Sequence, residues 1–136
     1  MEKPTSNEAM GGVNRLNPND VLLEEFVNLS DLLARVEDDR ELLAELLMMF
    51  QQECPGLLDA LHHAMDVGDL PAAANAAHTL KVMLANLSMT RGASLAATFE
   101  AAARAGNLPA TLETMVSLDS EIGTLSAALD VFLAGK

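Results

Sequence analysis

The chain has 136 residues and a formal charge of −12, and half of its residues are hydrophobic although Phe is the only aromatic type, present four times. This length supports one domain with a single hydrophobic core. The negative charge argues against nucleic acid as a partner, because it would repel the phosphates, and against an anionic membrane surface.

The apolar content comes mainly from Ala, Leu and Met, which lose little rotamer freedom in helices, so the composition predicts an all-α fold. The single cysteine, Cys54, excludes an internal disulfide and fits a reducing compartment. No apolar run has the length of a bilayer span or resembles a signal-peptide core. We therefore expect a cytoplasmic location, either as a free protein or as a piece of a larger one.

The first part of the chain reads differently from the rest. Residues 1–19 contain several Asn, Gly and Pro, which predicts a disordered tail or a linker, and the domain is expected to occupy residues 20–136. A short helix is expected around residues 21–27. Ser30 is predicted to cap a second short helix over residues 31–36.

A long helix is predicted over residues 39–67, ended by Gly68 as a C-terminal cap. Pro55 lies inside it, removes one backbone donor and should bend it. Its apolar residues recur at spacings of three and four, as a buried stripe requires. The stripe comprises Leu43, Leu46, Leu47, Phe50, Leu57, Leu58 and Leu61.

The next helix opens with Asp69 as N-cap and Pro71 in its first turn, and it should end near Leu87. Arg91 and Gly92 are predicted to form the following turn. The core stripe of this helix is predicted to be Ala73, Ala77, Leu80, Leu84 and Leu87.

A further helix should run to about Ala105 and close at Gly106. The last helix is predicted over residues 109–133, with Asn107 repeating the cap chemistry of Asp69. Four substantial helices joined by short loops predict an antiparallel up-and-down four-helix bundle with a short extra N-terminal helix. The core stripe of the last helix is predicted to be Leu112, Met115, Leu118, Ile122, Leu125, Leu129 and Phe132.

One histidine and one lysine stand out in this acidic chain. His78 and Lys81 are three residues apart, so their side chains are neighbours on one helical face. Lys81 is the only lysine away from Lys3 and Lys136 at the chain ends, and residues 41–80 contain no Lys or Arg. A lone cation one turn from a histidine requires an explanation.

His78 follows Ala77 of the core stripe by about 100° around the helix, so its ring should lie beside the core and be reachable from solvent. A neutral imidazole offers one nitrogen lone pair, and a phosphoryl group placed there would receive a charge-assisted hydrogen bond from Lys81. No acid, second histidine, Ser or Cys lies at helical spacing to complete a hydrolytic triad. The pattern therefore suits holding a phosphoryl group, although the spacing alone leaves a solvated surface pair as the alternative.

Residues 76–87, Ala-Ala-His-Thr-Leu-Lys-Val-Met-Leu-Ala-Asn-Leu, resemble the signature of histidine-containing phosphotransfer (HPt) domains, in which Ala-His-Thr-Leu-Lys-Gly is followed by Ala-Asn-Leu-Gly. The resemblance extends over residues 30–133. Weaker similarity to the family pattern is found at Leu32, Leu33, Phe50, Gly68 and Asp69 and in segments 39–43, 57–64 and 99–107.

The resemblance implies a role in a phosphorelay. His78 would accept a phosphoryl group from an aspartyl phosphate of a receiver domain and return it to another receiver, with Lys81 as electrostatic support. Such domains lack catalytic machinery, so we expect no enzyme activity and no cofactor or metal on this chain, with magnesium on the partner receiver. Response-regulator receivers and a sensor or hybrid histidine kinase are the expected partners of a monomer.

The chain departs from the family pattern at three positions. Val82 replaces the glycine after the lysine, and Ser88 replaces a later glycine. Gly92 replaces a leucine of the helix that follows the one with His78, so this following helix is expected to start later. Val82 shares the face of His78 and could slow transfer or narrow the choice of receivers. The alternative function is thus a receiver- or kinase-binding module impaired in phosphotransfer. The receiver-docking surface is predicted to comprise Ala74, Asn75, Val82, Met83 and Ala85.

A second histidine has a carboxylate one turn away. Asp59 and His62 form one Asp-x-x-His pair, whereas a carboxylate-bridged metal bundle needs Glu-x-x-His on two helices, so no metal site is predicted. His62 is expected roughly one turn from the level of His78 on the neighbouring helix. It would either influence His78 electrostatically or be a surface residue.

Overall fold

The structure, a computed structural model, describes residues 18–135, with side chains from residue 21 onward. Most of the predicted tail lies outside the described residues, but Pro18 already begins the first helix. The described part contains six helices and no strand, which confirms the all-α prediction. The helices are α1 (Pro18–Glu24), α2 (Leu29–Arg35), α3 (Arg40–Asp66), α4 (Leu70–Asn86), α5 (Thr90–Arg104) and α6 (Leu108–Ala134).

Helices α3 to α6 form a bundle in which each packs on its chain neighbours and α3 also packs on α6. The cross-helix contacts give the directions. His62 of α3 meets Asp119 of α6, and Gln51, further back on α3, meets Asp130, further on along α6. These two helices are therefore antiparallel. The short loops at residues 67–69, 87–89 and 105–107 reverse the chain between consecutive helices, as an up-and-down bundle requires.

The predicted helix boundaries are confirmed where a capping side chain defines them. Asp39, Asp69 and Asn107 each accept the backbone N–H of the third residue after them, at 3.0–3.2 Å. Gly68 and Gly106 follow the ends of α3 and α5 with φ of 76° and 72°, in the left-handed region that favours glycine. The caps therefore fix the ends of the loops that connect α3 to α4 and α5 to α6.

The predicted N-cap of the second short helix was wrong. Helix α2 begins at Leu29, and its N-cap is Asn28, whose side chain accepts the backbone N–H of Asp31. Ser30 is therefore a helical residue. The backbone N–H of Asn28 in turn donates to the carbonyl oxygen of Ser88 at 2.9 Å, which ties the start of α2 to the turn after α4.

The predicted turn at Arg91 and Gly92 was also wrong. The chain turns at residues 87–89, and α5 begins at Thr90, so Gly92 lies buried in its first helical turn. A Cβ on Gly92 would lie 3.4 Å from both terminal methyl carbons of Leu84. Gly92 thus packs against Leu84 in the contact between α4 and α5 rather than forming a turn.

Ser88 stands in the actual turn with φ of 58°, a conformation that favours glycine. The surrounding contacts hold the serine there. Its hydroxyl donates to Asp31 at 2.6 Å, and Arg35 donates to the carbonyl oxygens of Ala85 and Asn86 at 3.5 and 3.2 Å. Helix α2 thus binds the C-terminal end of α4.

The core runs along the bundle axis. The five residues of the predicted α4 stripe are all buried, and in α3 the residues Cys54 and Ala64 complete a stripe in which Leu46, Leu57 and Leu58 are only half-buried. In α6 the stripe is buried from Leu118 to Phe132, but Leu112 is exposed, which corrects its predicted place in the core. No helix within residues 18–135 combines the length and the apolar character needed to cross a membrane.

Candidate functional site

His78 lies on α4 with 51% of its side chain exposed, and it turns toward α5. Its Nδ1 atom is 3.2 and 3.1 Å from the two carboxylate oxygens of Glu100. An ionised carboxylate only accepts hydrogen bonds, so Nδ1 carries the proton and donates it. In the neutral ring the lone pair is therefore on Nε2, which makes no hydrogen bond to any of the described residues.

Glu100 is the centre of this cluster. Its side chain is 13% exposed and accepts from Nζ of Lys81 at 3.1 Å and from Nε and Nη2 of Arg104 at 3.0 and 2.9 Å. Burial raises the pKa of this carboxyl. The hydrogen bonds from Lys81, Arg104 and His78 and the charge of Lys81 outweigh that effect and lower the pKa of Glu100 to about 2. The carboxylate is therefore ionised at neutral pH.

Sequence reasoning missed Glu100. The expectation that no acid lies near His78 considered only the spacing on its own helix, whereas the acid comes from the neighbouring helix. Its signal in the sequence is the pair Glu100 and Arg104, four residues apart on α5, where an acid and a base stabilise each other. The prediction that Lys81 lies on the face of His78 stands, and the structure joins the two side chains through one carboxylate.

The polar cluster continues to Asn75, which lies one turn before His78 on α4. Its side-chain oxygen accepts from Nη2 of Arg104 at 3.3 Å. Arg104 therefore links α4 to α5 while it binds Glu100. Asn75 belongs to this polar side of His78.

The other side of His78 is an apolar groove between α3 and α4 with a volume of about 470 Å³. His78 stands at its edge, so one ring adjoins both the polar cluster and an apolar surface. From α3 the groove is lined by Leu46, Met49, Phe50 and Glu53, and from α4 by His78, Thr79, Val82, Met83, Asn86 and Leu87.

Only some of the predicted docking residues lie in the groove. Val82, 44% exposed, and Met83 line the groove beside His78. Ala74 has no exposed surface and offers nothing to a partner, which corrects that part of the prediction, and Ala85 is exposed outside the groove lining. Met49 of α3 was missed, because the prediction considered only the helix of His78 and not the one packed beside it.

His62 lies elsewhere. Its Nε2 is 2.9 Å from Oδ1 of Asp119 on α6, so its acid partner is Asp119 rather than Asp59. It borders a second groove, between α3 and α6, and does not contact His78. Among the described residues, no group of three or more His, Cys, Asp or Glu side chains is arranged to hold a metal ion.

The fold and the site together define a class of protein: a helical bundle that presents a half-exposed histidine oriented by a carboxylate. The sequence profile described as Hpt domain matches residues 45–128, well over half of the chain, and the chain therefore belongs to the Hpt domain family. No curated protein and no solved structure matches the sequence significantly. Membership places the chain in the phosphotransfer of two-component signalling, in a family of phosphocarriers that interact with receiver domains and kinases.

Proposed function

We propose that this chain carries a phosphoryl group on Nε2 of His78 between the aspartates of receiver domains in a phosphorelay. One observation carries the proposal. The ionised Glu100 holds the proton on Nδ1 of His78, which leaves a lone pair on Nε2 of this half-exposed side chain at the edge of an apolar groove.

The transfer step follows from this geometry. The Nε2 lone pair forms a bond to phosphorus while the bond from phosphorus to the aspartyl oxygen breaks, and that electron pair leaves with the carboxylate. The ring keeps its Nδ1 proton and becomes positively charged, and Glu100 stabilises this charge. The same protonated ring is a good leaving group when the phosphoryl group passes to the next aspartate.

The phosphoryl group brings about two negative charges to His78. Lys81 and Arg104 together exceed the charge of Glu100 by one positive charge, so the cluster favours this group. We expect no side chain of this protein to activate water for hydrolysis of the phosphohistidine, and we expect the chain to need no cofactor. The magnesium ion expected on the receiver would stabilise charge on the phosphoryl oxygens.

The groove between α3 and α4 is the proposed docking surface for the receiver. Met49, Val82 and Met83 provide exposed or half-exposed apolar side chains next to His78, where a receiver must approach to bring its aspartate to Nε2. A relay partner must also leave after transfer, so we expect a transient interface of about 1,200 Å² or less in total.

The alternative is a module that binds receivers or kinases without accepting a phosphoryl group. Its support is Val82, a branched side chain that borders the same groove as His78. We favour the phosphocarrier, because an oriented imidazole with two nearby cations serves no purpose in a module that only docks.

The test is incubation with receiver domains phosphorylated on their aspartates, followed by the chemical stability of the transferred label. We expect a label that survives alkali and is lost in acid, as phosphohistidine is. The variant His78→Gln should take no label, and the matched variant His62→Gln should be labelled like the wild type, since His62 lies on another face. Label on His78→Gln would refute the assignment. Receiver binding without label in the wild type, restored by Val82→Gly, would favour the alternative.

A further inference from the structure

Arg104 is the part of the His78 cluster that the proposed transfer step leaves unexplained. It contacts neither His78 nor the groove, yet two of its nitrogens bind one oxygen of Glu100, at 3.0 and 2.9 Å. A third contact, from Nη2 to Asn75, holds the guanidinium against α4. Arg104 is thus fixed between the two helices at the level of His78.

The two cations of the cluster bind different oxygens of Glu100. Lys81 reaches only Oε1, through a single nitrogen at 3.1 Å, whereas Arg104 holds Oε2. A lysine ammonium is a compact charge on a flexible stem, while a guanidinium is a planar group that keeps a fixed geometry. Of the two, Lys81 is the one that can turn to a new acceptor.

Phosphorylation would create such an acceptor. A phosphoryl group on Nε2 brings about two negative charges close to the mostly buried Glu100. If Lys81 alone compensated Glu100, turning to the phosphoryl oxygens would leave that carboxylate without a cation beside a dianion. The two anions would then repel each other, and the hydrogen bond to Nδ1 would weaken.

We propose that Arg104 is a positioning residue of the relay: it keeps the Glu100 carboxylate compensated and bound to Nδ1 of His78, so that Lys81 is released to the phosphoryl group. This inference rests on the proposed function, because it presupposes that His78 is phosphorylated. In this role Arg104 contributes its charge to the cluster and acts on His78 through Glu100, which it contacts directly.

The chain contains a matched control. Arg91 of α5 donates through Nε to both oxygens of Glu121 on α6, at 3.0 Å each, and its exposure is similar to that of Arg104. This pair also joins two helices through an arginine and a carboxylate, and it lies about nine residues along α5 from Glu100; Arg91 in addition lies over the ring of Phe26, at 5.2 Å from its centroid. A purely structural role for Arg104 would give Arg104→Gln and Arg91→Gln the same phenotype.

The experiment uses phosphoramidate, which removes the need for a receiver. The Nε2 lone pair of His78 takes the phosphoryl group as the phosphorus–nitrogen bond of the reagent breaks and ammonia leaves. The wild type, Arg104→Gln, Arg104→Lys and Arg91→Gln are phosphorylated, and ³¹P spectra follow the loss of phosphohistidine. ¹⁵N spectra of the lysine side chains report whether Lys81 changes its partner.

We expect the phosphohistidine of Arg104→Gln to decay about fivefold faster, the equivalent of about 1 kcal/mol for one partly exposed ion pair. Arg104→Lys should recover most of the lifetime, and Arg91→Gln should behave like the wild type. Phosphorylation should shift the Lys81 resonance in the wild type but not in Arg104→Gln.

Two failures are distinguishable. If Arg104→Gln matches Arg91→Gln in both lifetime and Lys81 shift while His78 is labelled, the role of Arg104 is overturned and the proposed function stands. If wild-type His78 takes no phosphoryl group from phosphoramidate or from phosphorylated receivers, both proposals are overturned.

Discussion

Two histidines of this bundle have similar surroundings, but a different ring nitrogen faces the carboxylate in each. His78 and His62 are 51% and 44% exposed, and each lies within 3.2 Å of a carboxylate on a neighbouring helix. His78 is bound through Nδ1, next to its own Cβ, whereas His62 is bound through Nε2, the nitrogen farthest from the backbone. The carboxylate therefore leaves Nε2 of His78 open and occupies Nε2 of His62.

The comparison shows that exposure and an acid partner do not by themselves make an imidazole a phosphoacceptor. An acid bound to Nδ1 places the lone pair on the nitrogen that a partner protein can approach. An acid bound to Nε2 blocks that approach and leaves the nitrogen nearest the main chain. The choice of nitrogen is what separates a candidate carrier from a cross-helix contact in this protein.

The strongest test of the comparison removes each acid in turn. Glu100→Ala should slow phosphotransfer to His78 by about tenfold or more, because a hydrogen bond to a charged group contributes about 1.5–3 kcal/mol. Asp119→Ala should leave the rate unchanged. Transfer is measured from a phosphorylated receiver, and ¹⁵N spectra of the imidazoles report which nitrogen of His78 carries the proton.

A graded control is available at the same position. Glu100→Gln keeps a neutral acceptor for the Nδ1 proton, so its transfer rate should fall between those of the wild type and Glu100→Ala. Equal rates for the Glu100→Ala and Asp119→Ala variants would remove the distinction between the two histidines.

A smaller effect is expected from the side chain beside His78. Val82→Gly should accelerate transfer by a factor of a few, because it removes a branched side chain from the groove that the receiver must enter. The matched variant is Val116→Gly on α6, an exposed helical valine far along the chain from the groove, with the same loss of helix propensity. It should leave transfer unchanged. An unaltered or lower rate for Val82→Gly would show that the valine does not obstruct docking.

The smallest expected effect is on stability. The pKa of Glu100 is about 2, below its ordinary value of 4.5, so its contribution to folding is present above the ordinary value and disappears as the pH falls toward 2. The difference in unfolding free energy between the wild type and Glu100→Gln should therefore be largest near neutral pH and shrink below about pH 4.5. Urea unfolding at several pH values measures it. A difference that does not change with pH would contradict the assigned ionisation.

The fold was predictable where local chemistry decides it. The caps at Asp69 and Asn107 and the glycines that follow α3 and α5 mark helix ends through residues close in sequence, and the structure confirms them. The start of α5 was not predictable in this way. Gly92 looks like a turn residue by its type, and only its contact with Leu84, a residue of another helix, explains it.

The acid and the arginine of the site were missed because partners for His78 were sought only on its own helix. A turn at residues 91 and 92 would place His78 opposite about residue 105, whereas the observed turn around Ser88 places it opposite about residue 98, two residues from Glu100. The motif predicted the histidine and the lysine because they share one helix. The acid and the arginine come from the next helix, so only the observed position of the turn shows that they lie beside His78.

Gly92 also lies in the packing between the two helices that supply the site. It packs against Leu84, six residues or about 9 Å along α4 from His78, and a Cβ there would already touch both methyl groups of Leu84. The hydrogen bond from His78 to Glu100 spans the same two helices. A side chain larger than that of Ala at position 92 would press on the packing between α4 and α5, and the hydrogen bond that orients the imidazole crosses that same packing.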